Sequence, residues 1–238
     1  MSATRTVAII PARGGSSRIP RKNVLPLDGI PLIEHTIKQA KSASNIDRII
    51  VSTDDSEISQ IATRCAVEVV HRPKPLASGT ATSEQALIHV LNHLKDVESY
   101  EAEELVFLQC TSPFRSPADI DNAISQFRQE KCDSLFSVAP FRKYLWRIEG
   151  GKVESINFRY ETERWMEQEF PAQFEENGSI YVLKPWVLQN LGYRFGGKIG
   201  MYEMEEISTF QIDEPSDIEI CEALLRAKKM HRGSCTNL

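Results

Sequence analysis

A segment near the start of the chain, residues 9–23, alternates basic side chains with small ones. It reads IIPARGGSSRIPRKN and holds four cations within ten residues: Arg13, Arg18, Arg21 and Lys22. Glycines let the backbone turn tightly, and successive N–H groups in such a turn form a concave site for an anion. Arginine and lysine add charges that suit phosphate oxygens. The segment therefore predicts a polyphosphate site, with a solvated basic loop as the alternative. Its spacing is neither GxxxxGK(S/T) nor GxGxxG, so a standard ATPase or dinucleotide loop is not predicted.

Two later segments carry polar groups at the point where an apolar run ends. The first, LQCTSPFRSPADID, places Thr111, Ser112 and Arg115 just ahead of a helix start. The second, FQIDEPSD, places Asp213 in the same kind of position. A carboxylate that faces a polyphosphate loop is a usual arrangement for holding Mg²⁺. Taken alone, each segment is also explained by a helix cap with no further role.

The elements that would position these groups alternate along the first 140 residues. The predicted strands are Val7–Ile10, Arg48–Ser52, Glu68–Val70, Leu105–Gln109 and Ser134–Ala139. The predicted helices, with apolar residues at helical spacing, are Pro31–Ser42, Asp55–Cys65, Ser83–Leu94 and Pro117–Glu130. This alternation predicts an α/β fold with a mostly parallel sheet and helices on both faces. In such sheets ligands bind beyond the carboxyl ends of the strands, where the basic segment falls.

The alternation breaks between residues 141 and 176, where aromatic and charged side chains dominate. The pattern there predicts a hairpin and a short helix that leave the main sheet. Its aromatic residues either face a partner subunit or a ligand, or form a small core of their own. Regular structure is predicted again at Ser179–Leu183, Lys198–Glu203 and Thr209–Ile212, before a closing helix from Glu214 to Lys229.

The composition is ordinary for a globular protein, with 41% hydrophobic and 26% charged residues in a chain of 238. A net charge of −5 argues against a nucleic-acid binder, so the basic segment is expected to serve a small anion. The sequence contains no run of about eighteen apolar residues, so we expect no membrane-spanning helix. Residues 1–5 lead into the first strand, and no secretory signal is predicted there. The five cysteines are scattered without a CxxC spacing. We therefore expect a cytoplasmic protein with reduced thiols and no membrane partner.

Six motifs occur in order along the chain: ARGGSSRIPRKN, VSTDDSEI, HRPKPLASGTATS, LQCTSPFR, ENGSIYV and IDEPSDIE. Together they resemble the cytidylyltransferases that activate acylneuraminic acids and related nonulosonic acids, over residues 7–225. The resemblance implies a Rossmann-like nucleotidyltransferase fold. It also implies one domain over residues 1–238, with an inserted dimerisation or lid segment at about 141–176, and a homodimer. The implied reaction transfers CMP from CTP to the anomeric hydroxyl of a sugar acid, releases pyrophosphate and uses Mg²⁺.

The resemblance further implies roles for single residues. Arg13, Lys22 and Asp213 are expected to be catalytic, the first two at the CTP phosphates and Asp213 at the metal. The other residues expected at CTP are Ala12, Gly14, Gly15, Ser16, Arg18, Asn23, Arg72 and Ser83, with Asn23 at the cytosine end. The residues expected at the sugar are Gln109, Thr111, Ser112, Arg115, Asn177 and Tyr181. No residue is compelled as a general base, so positioning and charge neutralisation are expected to carry the reaction.

The sequence departs from the family's pattern in the nucleotide-binding motifs. Ser17 stands where a lysine is frequent, and Arg18 beside it is expected to compensate. Gln211 and Gly79 each replace a frequent aspartate. These lost charges motivate one alternative, a catalytically degenerate paralogue that only binds nucleotide.

A further departure concerns the sugar. Glu167 and Glu169 make the pocket rim acidic where the sialic-acid enzymes commonly have an arginine. A carboxylate there would repel an acidic sugar unless it meets an amino group or faces solvent. We therefore expect a variant nonulosonic or octulosonic acid that bears an amino substituent. A cytidylyltransferase for KDO or a phosphonate, or an enzyme for another nucleotide base, is the alternative.

Overall fold

The computed structural model describes residues 4–16, 18–166 and 169–234, with side chains described up to Lys228. The strands are β1 (Thr6–Pro11), β2 (Pro26–Leu27), β3 (Ile30–Pro31), β4 (Arg48–Thr53), β5 (Glu68–His71), β6 (Glu104–Leu108), β7 (Ser134–Pro140), β8 (Trp146–Glu149), β9 (Lys152–Ser155), β10 (Phe174–Leu183) and β11 (Ile199–Glu203). Seven of them form one sheet in the order β11-β7-β10-β6-β1-β4-β5.

The sheet is parallel except at β10, which runs antiparallel to both β6 and β7. At its centre, Ile9 of β1 lies opposite Ile50 of β4 and Phe107 of β6. The first five residues of β1 are buried, because a central parallel strand is covered on both faces. The predicted mostly parallel sheet is therefore confirmed, although the apolar pattern gave no sign that β10 reverses direction.

The helices are α1 (Leu32–Lys41), α2 (Ser56–Arg64), α3 (Ser83–Glu98), α4 (Pro117–Glu130), α5 (Pro185–Leu191) and α6 (Pro215–Ser234). On one face of the sheet α1, α2 and α4 bury residues such as Ile33, Ile58 and Ile124. On the other face α3 and α5 bury residues such as Leu87 and Val187. Helices on both faces are thus confirmed. Within the described part of the chain, no helix is long and apolar enough to cross a bilayer.

The helix starts follow the capping residues in the sequence. The Asp55 carboxylate accepts backbone hydrogen bonds from the second and third residues of α2, both at 3.0 Å. Thr82 before α3 and Ser116 before α4 each form a reciprocal capping box. Because the site-facing loops run directly into these helices, the caps also fix where the loops end.

The predicted strand Thr209–Ile212 is wrong. Glu206–Thr209 form a 3-10 turn instead, and the chain after it passes along the loop that follows β6. There the Ile212 amide donates to the Thr111 carbonyl at 2.9 Å. This single hydrogen bond to a loop takes the place of the regular hydrogen bonds of a strand. It brings Asp213, the next residue, to the carboxyl edge of the sheet.

The segment between β7 and β10 leaves the sheet, and β8 pairs with β9 in the predicted hairpin. The aromatic side chains of this segment pack on one another: Tyr144, Trp146, Phe158, Tyr160, Trp165 and Phe170. The rings of Tyr144 and Phe158 are nearest, with centroids 4.5 Å apart. These residues form a small core of their own, and no α-helix occurs in the part of the segment that the structure describes.

Candidate active site

A cavity of about 350 Å³ opens at the carboxyl edge of the sheet, beyond β1 and β6. The expected site residues that line it are Arg13, Gly15, Ser16, Arg18, Lys22, Asn23, Arg72, Ser83, Gln109, Thr111 and Asp213. Four of these side chains are cationic and only Asp213 is acidic. The cavity is therefore strongly positive within a chain whose net charge is −5, as a polyanion site requires.

The loop after β1 is fixed against the start of α2. The Gly14 amide donates to Asp54 Oδ1 at 3.0 Å, and the amide of buried Ala12 donates to the Ser52 carbonyl at 2.9 Å. A Cβ at Gly14 would lie 2.6 Å from Asp55 Oδ2, so the close approach requires glycine. Ala12 and Gly14 thus shape the loop from behind, and neither is among the cavity-lining residues.

Arg21 turns away from the cavity, which corrects its expected place in the anion site. Its guanidinium pairs with Asp55 at 2.9 Å and with Glu57 at 2.6 Å, both at the start of α2. The hydrogen bonds from Arg21 are the main cause that holds the pKa of the Asp55 carboxyl below its usual value. Arg21 is therefore paired with the carboxylates at the start of α2 and does not line the cavity. The fourth cation that lines the cavity is Arg72.

Lys22 is held at the opposite wall of the cavity. Its Nζ donates to the Ile212 carbonyl at 3.0 Å and to Asp213 Oδ1 at 2.9 Å. The Lys22 side chain is 14% exposed and that of Asp213 is 45% exposed. The Asp213 amide in turn donates to Asp217 Oδ2 at 2.8 Å. The lysine is therefore oriented before a ligand arrives, and the carboxylate remains accessible from the cavity.

The other loop cations have looser partners. Arg13 donates to the Ser78 carbonyl on the segment that leads to α3, and its own carbonyl accepts a 3.0 Å bond from the Asn23 amide. Arg18 lies 3.5 Å from Glu214, with 61% of its side chain exposed. Arg18 can therefore reach a ligand, whereas Ser17, the position of the missing lysine, lies outside the described residues.

Arg72 lies at the base of the cavity and is only 4% exposed. Its Nη2 donates to the Ser52 carbonyl at 2.7 Å, at the carboxyl end of β4. Burial lowers the pKa of its guanidinium, the charge of Asp54 opposes this, and the charge of Arg13 adds to it. Arg13 and Arg72 are like charges that line the same cavity, an arrangement that a bound anion would stabilise.

The first turn of α3 forms another wall through Ala81, Thr82 and Ser83. The Thr82 side chain accepts from the Gln85 amide at 3.3 Å, so it serves as the helix cap. The positive end of the helix dipole therefore faces the cavity near Ser83.

Arg115 does not reach the cavity, which corrects its expected contact with the sugar. It is 3% exposed and lies between β10 and α1, donating to the Ser179 carbonyl at 2.7 Å and to Gln39 Oε1 at 3.0 Å. Burial lowers the pKa of this guanidinium to about 10. Its hydrogen bonds join elements that are distant in sequence, which makes it a core residue.

Three more residues expected at the sugar are also buried behind the cavity wall: Ser112, Asn177 and Tyr181. Ser112 donates to the Gly178 carbonyl at 3.3 Å, and the Asn177 amide donates to Ser208 Oγ at 2.8 Å. The Tyr181 ring stacks on Phe107, with centroids 5.2 Å apart. The structure therefore gives them supporting rather than lining positions.

The cavity is also lined by residues to which the sequence assigned no role in binding or catalysis: Pro11, Ala81, Thr82, Phe107, Cys110 and Gln211. Phe107 precedes Gln109 by two residues, and strand periodicity could have put both on the same side. The Gln211 amide donates to the Asn177 carbonyl at 2.7 Å. Burial raises the pKa of the Cys110 thiol to about 11, so this cysteine is not a nucleophile at neutral pH.

The donor set at one end of the cavity fits Mg²⁺. The accessible Asp213 carboxylate and the amide oxygen of Gln211 are hard oxygen donors on the same wall. Among the described residues, no group of three or more His, Cys, Asp and Glu could hold a metal by itself. Mg²⁺ is commonly held by one or two carboxylates together with substrate phosphates and waters. The site therefore suits a cation that arrives with a polyphosphate.

The whole-chain comparison gives the class of the protein. A family described as cytidylyltransferase matches residues 7–234. The chain therefore belongs to the cytidylyltransferase family, and it is a CTP-dependent nucleotidyltransferase. The predicted resemblance is confirmed at this level.

Within that family, the chain is similar to several proteins, of which two are named for acidic sugars. It is 32% identical to post-translational flagellin modification protein B of Campylobacter coli, covering 92% of this chain and 94% of the relative. It is 30% identical to CMP-N,N'-diacetyllegionaminic acid synthase of Legionella pneumophila, covering 93% and 96%. It is 28% identical to N-acylneuraminate cytidylyltransferase of Escherichia coli over 96% of this chain, but spans only 54% of that relative.

Solved structures agree on the fold. The structure of CMP:2-keto-3-deoxy-manno-octonic acid synthetase complexed with CTP superposes with a TM-score of 0.71 at 19% identity, covering 94% of this chain and 100% of that one. The 4-diphosphocytidyl-2C-methyl-D-erythritol synthase of Anaerococcus prevotii superposes with a TM-score of 0.69 at 16% identity, covering 94% and 97%. The Rossmann-like nucleotidyltransferase fold is therefore confirmed.

Proposed function

We propose that this enzyme transfers CMP from CTP to the anomeric hydroxyl of a nonulosonic, sialic-acid-like sugar acid and releases pyrophosphate. The observation that carries the proposal is the cavity in which Arg13, Arg18, Lys22 and Arg72 surround a single carboxylate, Asp213. A triphosphate supplies the negative charge that four converging cations lack. The names of the Legionella and Escherichia relatives point to sugar acids as acceptors.

CTP is assigned to the loop after β1 and the first turn of α3. The Gly15 and Ser16 backbone, with Arg13 and Lys22, would bind the phosphates, while Asn23 would meet the cytosine and Arg72 with Ser83 the nucleoside. Gln109 and Thr111 line the same cavity at the end of β6 and would face the acceptor. Under this assignment the acceptor hydroxyl would lie next to the phosphate that it attacks.

The residues act by positioning and by offsetting charge. The acceptor hydroxyl attacks the α-phosphorus and loses its proton to solvent, and the bond to the bridging oxygen of the β-phosphate breaks. Lys22, Arg13 and Arg18 offset the charge that grows on the departing pyrophosphate. Asp213, with Gln211 beside it, would hold Mg²⁺, which supplies further positive charge to the phosphate oxygens when bound. Because Lys22 is already paired with Asp213, it has to shift part of its contact to the nucleotide when CTP binds.

The acceptor is proposed to carry an amino substituent that plain N-acetylneuraminate lacks. Glu169 is exposed in the single chain, so its carboxylate is available to a ligand or a neighbouring subunit, whereas Glu167 lies outside the described residues. The product named for the Legionella relative carries two acetylated amino groups. The name of the Legionella relative favours a substituted nonulosonic acid over plain N-acetylneuraminate, whereas an exposed Glu169 faces solvent and sets no requirement on the acceptor.

The segment between β7 and β10 is proposed to form a homodimer contact in a cytoplasmic enzyme. Its hairpin exposes apolar side chains, with Ile148 at 78%, Val153 at 64% and Trp146 at 48%. Exposed apolar groups on one hairpin mark a protein contact more often than a solvated surface. Sedimentation equilibrium should give twice the chain mass, and a monomer at all concentrations would contradict this assignment.

One assay tests the proposed function. Pyrophosphate release is measured for CTP, UTP, ATP and GTP, each crossed with N-acetylneuraminate, N,N'-diacetyllegionaminate, KDO and a phosphonate, with and without Mg²⁺. Release with CTP and a nonulosonic acid, dependent on Mg²⁺, is the expected result. Release only with KDO or the phosphonate would support the alternative cytidylyltransferases. CTP binding without release from any pair would identify a degenerate paralogue, and equal turnover of N-acetylneuraminate would refute the substituted acceptor.

A further inference from the structure

A buried ion pair lies directly behind the first turn of α3. Glu84 is 6% exposed, and its Oε1 lies 2.6 Å from Nε of Arg194, whose side chain is 17% exposed. Burial alone would raise the pKa of the Glu84 carboxyl, but the hydrogen bond from Arg194 and the backbone more than offset this and lower it. Arg194 belongs to the segment between α5 and β11, 110 residues further along the chain.

The same guanidinium also stacks on two aromatic rings of the central sheet. Its Cζ lies 4.7 Å from the ring centroid of Tyr181 on β10 and 5.2 Å from that of Phe107 on β6. The Tyr181 hydroxyl itself donates to Glu176. Arg194 is therefore held by a carboxylate and by two aromatic rings.

Glu84 and Arg194 each lie next to a residue that lines the cavity. Ser83, immediately before Glu84, lines the cavity, and so does Phe107 under the guanidinium. Arg194 thus ties the helix turn on one wall to the aromatic ring on another. A buried charge pair is costly to desolvate, and this one lies next to a cavity-lining residue at each of its ends.

We propose that Arg194 is a positioning residue that sets the distance between the first turn of α3 and Phe107, and thereby the shape of the CTP subsite. This inference rests on the proposed function, because it concerns the site assigned to CTP. Arg194 need not contact the nucleotide: it acts through Glu84 on Ser83, and through stacking on Phe107.

The test is CTP binding by isothermal titration calorimetry, with Mg²⁺ and without an acceptor, at a temperature where circular dichroism shows every variant folded. Arg194→Met keeps an unbranched side chain but removes the charge and the planar hydrogen-bond donors of the guanidinium. We expect it to raise the Kd for CTP at least about tenfold, since small displacements of positioning groups have effects of this size. Glu84→Gln should shift the Kd in the same direction, and Arg194→Lys should give an intermediate value.

A matched control comes from the opposite edge of the sheet. Arg128 pairs with Glu104 at 2.7 Å, and the Glu104 side chain is 9% exposed, at the amino end of β6. Arg128→Met removes a comparable ion pair far from the cavity, so it should lower the unfolding temperature and leave the Kd for CTP within about twofold of wild type.

The outcomes separate the two proposals. If the wild-type protein does not bind CTP, the proposed function fails. If it binds CTP and Arg194→Met and Glu84→Gln bind it equally well, only the role of Arg194 is overturned. If Arg128→Met weakens binding as much as Arg194→Met, the effect reflects general destabilisation and the role of Arg194 is again overturned. Saturating CTP should restore kcat of Arg194→Met to within about threefold of wild type, because the lost interaction concerns binding.

Discussion

Gly14 offers a direct test of how tightly the basic loop is held against α2. A methyl group in Gly14→Ala would lie 2.6 Å from Asp55 Oδ2 and 2.9 Å from Asp55 Cβ. Rotating the Asp55 side chain could relieve the first contact but not the second, because Cβ moves only with the backbone. The substitution must therefore displace the loop or the start of α2. Overpacking of this kind costs about 1–3 kcal/mol of unfolding free energy.

The cost includes the helix cap. Asp55 caps α2 and holds Arg21, and loss of an N-cap alone costs about 0.5–2 kcal/mol. We therefore expect Gly14→Ala to lower the unfolding free energy by about 2 kcal/mol, the middle of the overpacking range and the upper limit of the range for a lost cap. The displaced loop should also weaken CTP binding, because Arg13 and Gly15 lie on either side of Gly14.

The control lies one residue further on. A Cβ at Gly15 meets nothing within 4 Å, so Gly15→Ala should change the unfolding free energy by no more than about 0.5 kcal/mol. Urea unfolding followed by circular dichroism measures both variants against wild type. If Gly14→Ala proves as stable as Gly15→Ala, the loop is not packed against Asp55 as described and the reasoning is refuted.

Three further predictions concern charge. Arg13→Ala should abolish pyrophosphate release without lowering the unfolding temperature by more than a few degrees, and retained turnover in the coupled assay would remove Arg13 from the phosphate site. Asp213→Asn should raise the Mg²⁺ concentration for half-maximal activity by at least about tenfold, as seen in a magnesium titration, and an unchanged titration would contradict a metal role. The pKa of Asp55 is lowered in the folded state by Arg21, so its contribution to stability is present above the unfolded pKa of about 4 and is lost as pH falls through the folded value. Urea unfolding from pH 7 to pH 2.5 should therefore show wild type losing its advantage over Arg21→Met below about pH 4, and a constant difference would argue against the ion pair.

The sequence was most informative where local chemistry decides the structure. Asp55, Thr82 and Ser116 begin helices because their side chains satisfy free backbone N–H groups, and that requirement is readable from residue type. The direction of β10 was not readable, since the same apolar residues suit a parallel or an antiparallel neighbour. The local pattern of Thr209–Ile212 also suits a strand. In the folded molecule, however, the Ile212 amide donates to the Thr111 carbonyl of a loop and not to a neighbouring strand.

The site was predictable as a set of motifs but not as a set of contacts. Arg21 and Arg72 are equally basic in sequence. Arg21 pairs with a carboxylate at the start of α2 and points away from the cavity, whereas Arg72 donates to the carboxyl end of β4 and lines the cavity. Arg115 belongs to a site motif but is held by Gln39 and Ser179, from elements far away in the chain. Arg194 lies outside every motif, because its partners meet it only in the folded molecule.

The contact between Lys22 and Asp213 spans 191 residues, and this has a consequence for the growing chain on the ribosome. The cationic loop is synthesised early, whereas the carboxylate on the far wall emerges only after β10 and β11 have been made. A partly synthesised chain therefore carries the cationic loop without the carboxylate that pairs with Lys22. Under the proposed function it also lacks its metal ligand, so the proposed site is assembled only after β11 and the segment that follows it have been made.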